Sequence, residues 1–253
     1  VPQKERLAKA FPARSGSGPS NFIKCAEFPC LLAGCYSLPA GENEGFMTFA
    51  GEGLACVRGE RQVFAGLNFT CDRGSALVLE GPNGSGKSSL LRLAASLLQP
   101  SAGRLTWDGR DVAEDAEAHR ARIVYVGHLD ALKPALTVRD NLAFWARLAG
   151  AAAAATDAAL VRIGLDHLAD LPARFLSAGQ RRRLNLARLL LRQVPIWLLD
   201  EPTTALDGAS TAALSAIIAE HRAAGGIVIV ATHLELALTG AAILRLSQAK
   251  AAA

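Results

Sequence analysis

A glycine-rich octet, Gly81-Pro82-Asn83-Gly84-Ser85-Gly86-Lys87-Ser88, stands between a short apolar run, Ala76-Leu77-Val78-Leu79, and a stretch with helical apolar spacing at Leu90, Leu91, Ala94, Leu97 and Leu98. Strand, glycine turn, helix is the context in which a G-x-x-x-x-G-K-[ST] pattern forms a phosphate cradle. The glycines let main-chain amides turn inward and the helix N-terminus adds partial positive charge. Lys87 supplies a full charge to the outer phosphates, and the Ser88 hydroxyl, with Ser89 beside it, can ligate a magnesium ion. After Met47 the chain has no lysines besides Lys87, Lys133 and Lys250, so one placed in this loop is not part of a general lysine surface.

Three more apolar runs have the length of buried strands: Ile123-Val124-Tyr125-Val126, Ile196-Trp197-Leu198-Leu199 and Ile227-Val228-Ile229-Val230. Strand and helix alternate from Met47 to Ala253, which predicts an α/β fold. Between Asp130 and Leu176 the strand signal gives way to helical spacing at Leu142, Trp145, Ala146 and Ala149, predicting an inserted helical lobe over about 130–185. The alanine run 151–155 reads as a surface helix or its connection.

Residues 1–46 differ from the rest. They carry Pro12, Pro19, Pro29, Pro39 and a Ser15-Gly16-Ser17-Gly18 stretch, with no sustained period. They read as an extension of little fixed structure, with Met47 as the functional start. Glu5, Glu27, Glu42 and Glu44 weigh against an organelle transit peptide. Cys25, Cys30 and Cys35 recur every five residues but lack a nearby histidine, so they read as incidental thiols, and five cysteines in all argue against a disulfide framework. No apolar stretch has the length of a membrane helix, so no direct membrane span is expected. A net charge of +4 is too dispersed to imply nucleic acid. Arg181, Arg182 and Arg183 precede an apolar stripe at Leu184, Ala187, Leu190 and Leu191, and read as the polar shoulder of an amphipathic helix.

The Ile196 strand ends in adjacent carboxylates, Asp200 and Glu201. Buried acids need partners, and a magnesium nucleotide gives them a task. Asp200 would hold the metal, and Glu201 would polarise the water that attacks the γ-phosphate.

Leu176-Ser177-Ala178-Gly179-Gln180 resembles the L-S-G-G-Q signature of ATP-binding cassette (ABC) ATPases, with Ala178 in place of the first glycine. The order also fits: phosphate loop, helical insertion, signature, Asp200-Glu201, then Ala205-Leu206-Asp207 like the D-loop and Thr232-His233 like the switch histidine. The resemblance spans Met47 to about Leu246. It implies a P-loop NTPase of ABC type, with a RecA-like mixed sheet core, an N-terminal antiparallel β portion and an inserted helical subdomain. It also implies ATP and Mg2+ as ligands and a head-to-tail homodimer of cassettes. In that pair Ser177, Ala178, Gly179 and Gln180 of one copy face the γ-phosphate held by Lys87 of the other, while Asp207 links the sites and His233 steadies the γ-phosphate.

Two positions depart from the family pattern. His128 stands where a glutamine is usual, and its protonation would make activity pH-sensitive near neutrality. Arg58 stands where an aromatic residue usually meets adenine, and a guanidinium plane can stack there instead. Cys56-Val57-Arg58, Gly127-His128, Leu176 to Arg183 and Gly225-Gly226-Ile227 together are similar to the ATP-binding subunits of haem exporters in cytochrome c maturation. That likeness implies a bacterial inner membrane, its cytoplasmic face, and an integral membrane permease as partner. The alternatives are the ATPase subunit of another exporter and a soluble ABC ATPase without a permease. The latter usually carries long coiled coils or tandem cassettes, for which 253 residues leave no room.

Overall fold

The computed structural model describes residues 47–233, 236 and 238–247. The Cys25, Cys30, Cys35 run and the extension 1–46 lie outside the described residues.

The chain begins with an antiparallel hairpin, β1 (Thr48–Arg58) and β2 (Arg61–Asp72), paired from Thr48 against Asp72 to Arg58 against Arg61. β4 (Ala102–Trp107) adds to the other side of β1 and β5 (Arg110–Asp111) to β4, giving a four-stranded sheet of order β2-β1-β4-β5. A second sheet takes β3 (Ala76–Glu80), β6 (Ile123–Val126), β7 (Ile196–Asp200), β8 (Ile227–Ala231) and β9 (Ala242–Arg245), all parallel, in the order β6-β7-β8-β3-β9. All four apolar runs singled out in the sequence are strands of this sheet.

Period-2 alternation sends β7 and β8 into two cores. Ile196, Leu198, Ile227 and Ile229 pack with Phe49, Phe69 and helix α1 (Lys87–Ala94). Trp197, Leu199, Val228 and Val230 pack with Leu214, Ile217 and Ile218 of α6 (Gly208–Ala223). α2 (Ala116–Ala121) precedes β6, and its buried His119 stacks on Phe49.

A third core gathers Val138, Leu142 and Ala146 of α3 (Val138–Leu148), Ala159 and Leu160 of α4 (Ala154–Arg162), and Leu184 of α5 (Ala178–Leu186). Ala187 and Leu191 of the stripe join it, although α5 tightens into a 3-10 turn at Ala187–Leu190. Thr137 caps α3 by accepting from Asp140 N. α5 opens on a reciprocal cap: Gln180 N donates to Ser177 Oγ at 3.2 Å and Ser177 N donates to Gln180 Oε1 at 2.8 Å.

Two readings need correction. α1 stops at Ala94, because Ser96 turns left-handed (φ 52) and the amides of Leu97 and Leu98 fold back onto Arg92 O. Leu97, expected on the helix's apolar face, is therefore 60% exposed. The arginine triplet is not one solvated shoulder either: Arg181 donates to Leu176 O, Arg183 to Ile163 O, and Arg182 is buried.

Candidate nucleotide site

Four neighbouring strands deliver the site from their carboxyl ends, the usual place for ligands on a parallel sheet. β3 ends in the octet, β6 in Gly127-His128, β7 in Asp200-Glu201 and β8 in Thr232-His233. Register fixes their level, since Leu79 and Asp200 both lie beside Ala231.

The octet makes a tight arch. Ser85 N donates to Pro82 O and Leu90 N to Gly86 O. Gly86 (φ 104) must be glycine twice over: its backbone is left-handed, and a Cβ would sit 2.6 Å from Val63 and 2.9 Å from Phe64 of β2. α1 thus starts with no side-chain cap and no acid in its first turn, leaving its leading amides free for an anion. Ser85 is fully buried, Pro82, Asn83 and Gly84 are exposed, and Gly81 lies against Leu246 O.

Residues distant in sequence converge on this arch. Lys87 Nζ donates to Gly81 O at 2.7 Å and Pro82 O at 3.3 Å, and lies 3.0 Å from His233 Nε2. Ser88 Oγ donates to Asp200 Oδ1 at 3.0 Å across 112 residues of chain. Asp200 is 2% exposed, and among the described residues no group hydrogen-bonds its Oδ2. Burial first, then the Asp200 charge, push the Tyr125 phenol up beside it. Glu201 takes a left-handed backbone (φ 50), its N donating to Ala231 O at 2.8 Å, and its Oε2 accepts from His233 N at 3.3 Å. Ser89 lies in the first turn of α1, near Cys56 of β1.

His128 is exposed at the end of β6, and Arg58 is exposed at the end of the hairpin whose β2 touches Gly86. Asp207 caps α6, its Oδ1 accepting from Ser210 N at 2.7 Å, which holds its carboxyl below the usual carboxylate value. Ala178 is exposed, so the methyl that replaces the first signature glycine meets no obstacle. Gly179 differs: a Cβ there would sit 2.8 Å from Ala205 O. The residue missed by sequence reasoning is Arg182, whose buried guanidinium reaches the carbonyls of Asp200 and Glu201. Its only signal was membership of the arginine run 181–183 that follows the signature.

Residues 64–204 match the family described as ABC transporter. The cytochrome c biogenesis ATP-binding export protein CcmA of Rhodospirillum rubrum is 61% identical over 207 residues, 82% of this chain and 89% of that protein. Its namesake in Paramagnetospirillum magneticum is 58% identical over 205 residues, 79% of this chain and 94% of that protein. Among solved structures, a bacterial Atm1-family ABC exporter with ATP bound aligns with a TM-score of 0.71 at 26% identity, covering 81% of this chain and 38% of that one. An ATP-binding subunit of an ABC transporter aligns at 0.70 with 23% identity, covering 78% and 85%, a likeness of fold.

Proposed function

Because this chain belongs to the ABC transporter family, we propose that it is the ATP-hydrolysing subunit of a membrane complex for cytochrome c biogenesis, of the haem-exporter kind. The observation that carries the enzymatic part is the meeting of Lys87, Ser88, Asp200, Glu201 and His233 at one arch of backbone.

The arch amides and Lys87 bind the phosphates of ATP, drawing the ammonium from the carbonyls it now holds. Ser88 and Asp200 offer hard oxygens, one of them buried and unpartnered, which suits Mg2+. When bound, that ion neutralises charge on the β- and γ-phosphates. Glu201 takes the proton of the attacking water, and His233, between Lys87 and Glu201, holds the γ-phosphate in line. Arg58 stacks on the adenine, and His128 orients water from the adjoining strand end.

The third core supports residues 130–185 as the inserted helical subdomain of a cassette over 47–253. In a head-to-tail homodimer the α5 terminus, with Ser177, Gly179 and Gln180, closes on the partner's γ-phosphate and Asp207 joins the two sites. Among the described residues no helix is long and apolar enough to cross a membrane. The likeness to the cytochrome c biogenesis export proteins supports a peripheral position on the cytoplasmic face of a bacterial inner membrane, bound to an integral membrane permease. Leu129, at 82% exposed in the turn after β6, and Phe144 and Phe175 on the helical lobe offer apolar surface for that contact.

The test is recovery of the tagged full chain carrying Glu201→Gln from detergent-solubilised membranes with ATP. Cytochrome c maturation membrane subunits should come with it. Recovery of another permease overturns the haem role, and recovery of none overturns membrane coupling.

A further inference from the structure

Arg182 sits in the second turn of the α5 helix, 3% exposed, with its guanidinium among main-chain oxygens. Nη2 donates to Glu201 O at 2.7 Å and Asp200 O at 2.8 Å, and Nε donates to Pro202 O at 3.2 Å. Nη1 donates to Gly127 O at 2.9 Å and His128 O at 3.4 Å, with Asp130 Oδ1 3.6 Å away. One side chain therefore spans the turn after β7 and the turn after β6, using the rigid fork of donors that only arginine has.

The turn after β7 needs such a hold. Glu201 is not glycine, yet its φ is 50, and such backbone persists only where its surroundings over-determine it. Here the residue is gripped on both sides, its N–H by Ala231 O and its carbonyl by Arg182 Nη2. The twist of the main chain at 201 decides where the carboxylate points.

We infer that Arg182 is a positioning residue for ATP hydrolysis: its guanidinium fixes the Glu201 backbone and the 127–128 turn in one mutual arrangement and ties both to the helix that begins at Ser177. This rests on the reading of Glu201 as the base. The aim of the base then depends on the seat of α5, and a displacement of α5 is felt at Glu201 and His128 together. A lysine at 182 has a compact ammonium that cannot reach both turns at once.

The experiment compares the parent chain with Arg182→Lys, Arg182→Gln, Glu201→Gln and the double variants, reading nucleotide Kd, kcat, KM and Tm. With Lys87, Ser88 and Asp200 untouched, the Arg182 variants should keep ATP affinity within about threefold while kcat falls about 10–100-fold, the effect of a slightly misplaced group. In the Glu201→Gln background the same changes should cost almost no further kcat, because there is no base left to aim, while their effect on Tm is unchanged. Three results overturn the proposal: folded variants with parental kcat, joint loss of Kd and kcat, or an equal fold-loss in both backgrounds. Failure of both variants to fold also overturns it, assigning Arg182 to stability alone. Parental kcat in Glu201→Gln alone would instead strike the base assignment beneath it.

Discussion

On the proposed mechanism, Glu201 and Lys87 act on ATP in separable ways. Replacing Glu201 by Gln removes a proton acceptor but keeps shape, so turnover should fall about 10²–10⁴-fold with nucleotide affinity retained, measured by phosphate release and by titration of ATP. Lys87→Ala should weaken binding itself, since it removes the cation of the arch. The signature offers a sharper contrast. Gly179→Ala forces a methyl toward Ala205 O, where 2.8 Å is too close, and should cost about 1–3 kcal/mol in thermal unfolding, whereas Ala178→Gly should change stability little. The phosphate loop, the two carboxylates and the signature were legible because each is a contiguous string whose chemistry is in the residue types. Arg182 was not. Successive helix residues turn by 100°, so three arginines in a row cannot all face water, and nothing in the string says which one turns inward.

At the scale of elements, the sequence showed four strands clearly, since β7 and β8 are apolar on both faces and bracketed by turns. It misjudged α5 because one apolar stripe assumes one buried face. α5 is wedged between two cores, with Leu184 in the lobe and Leu186 against the sheet, and that follows from tertiary placement alone. A comparable lock joins α6 to β7, where the His221 ring lies 3.8 Å from that of Trp197 at 3°. Burial holds His221 neutral, its pKa down at about 4 against 6.5 when free. The unfolded chain therefore takes up the proton first: this contribution is full above about pH 6.5 and is lost as pH falls toward 4. Tm should decline over that window, and His221→Phe, which keeps a stacked ring, should flatten the decline in a pH series of melting curves.

For the whole molecule, ATP is expected to control association. Glu201→Gln with ATP should run as a dimer in size-exclusion chromatography and return to monomer on nucleotide removal, while Lys87→Ala should stay monomeric throughout. Such a pair was expected only through resemblance, since a composite site would leave half its chemistry on the other copy. The end of α5 shows what that arrangement requires of a lone copy. Ser177 and Gln180 already satisfy one another there, so a phosphate that arrives must trade for bonds in use, and one that leaves abandons no raw helix end. Closing and opening then differ by a near-even exchange of partners. In the proposed pair, what the serine and glutamine would secure is reversibility: a clasp that holds while its guest is present and resets itself, without outside help, each time the guest departs.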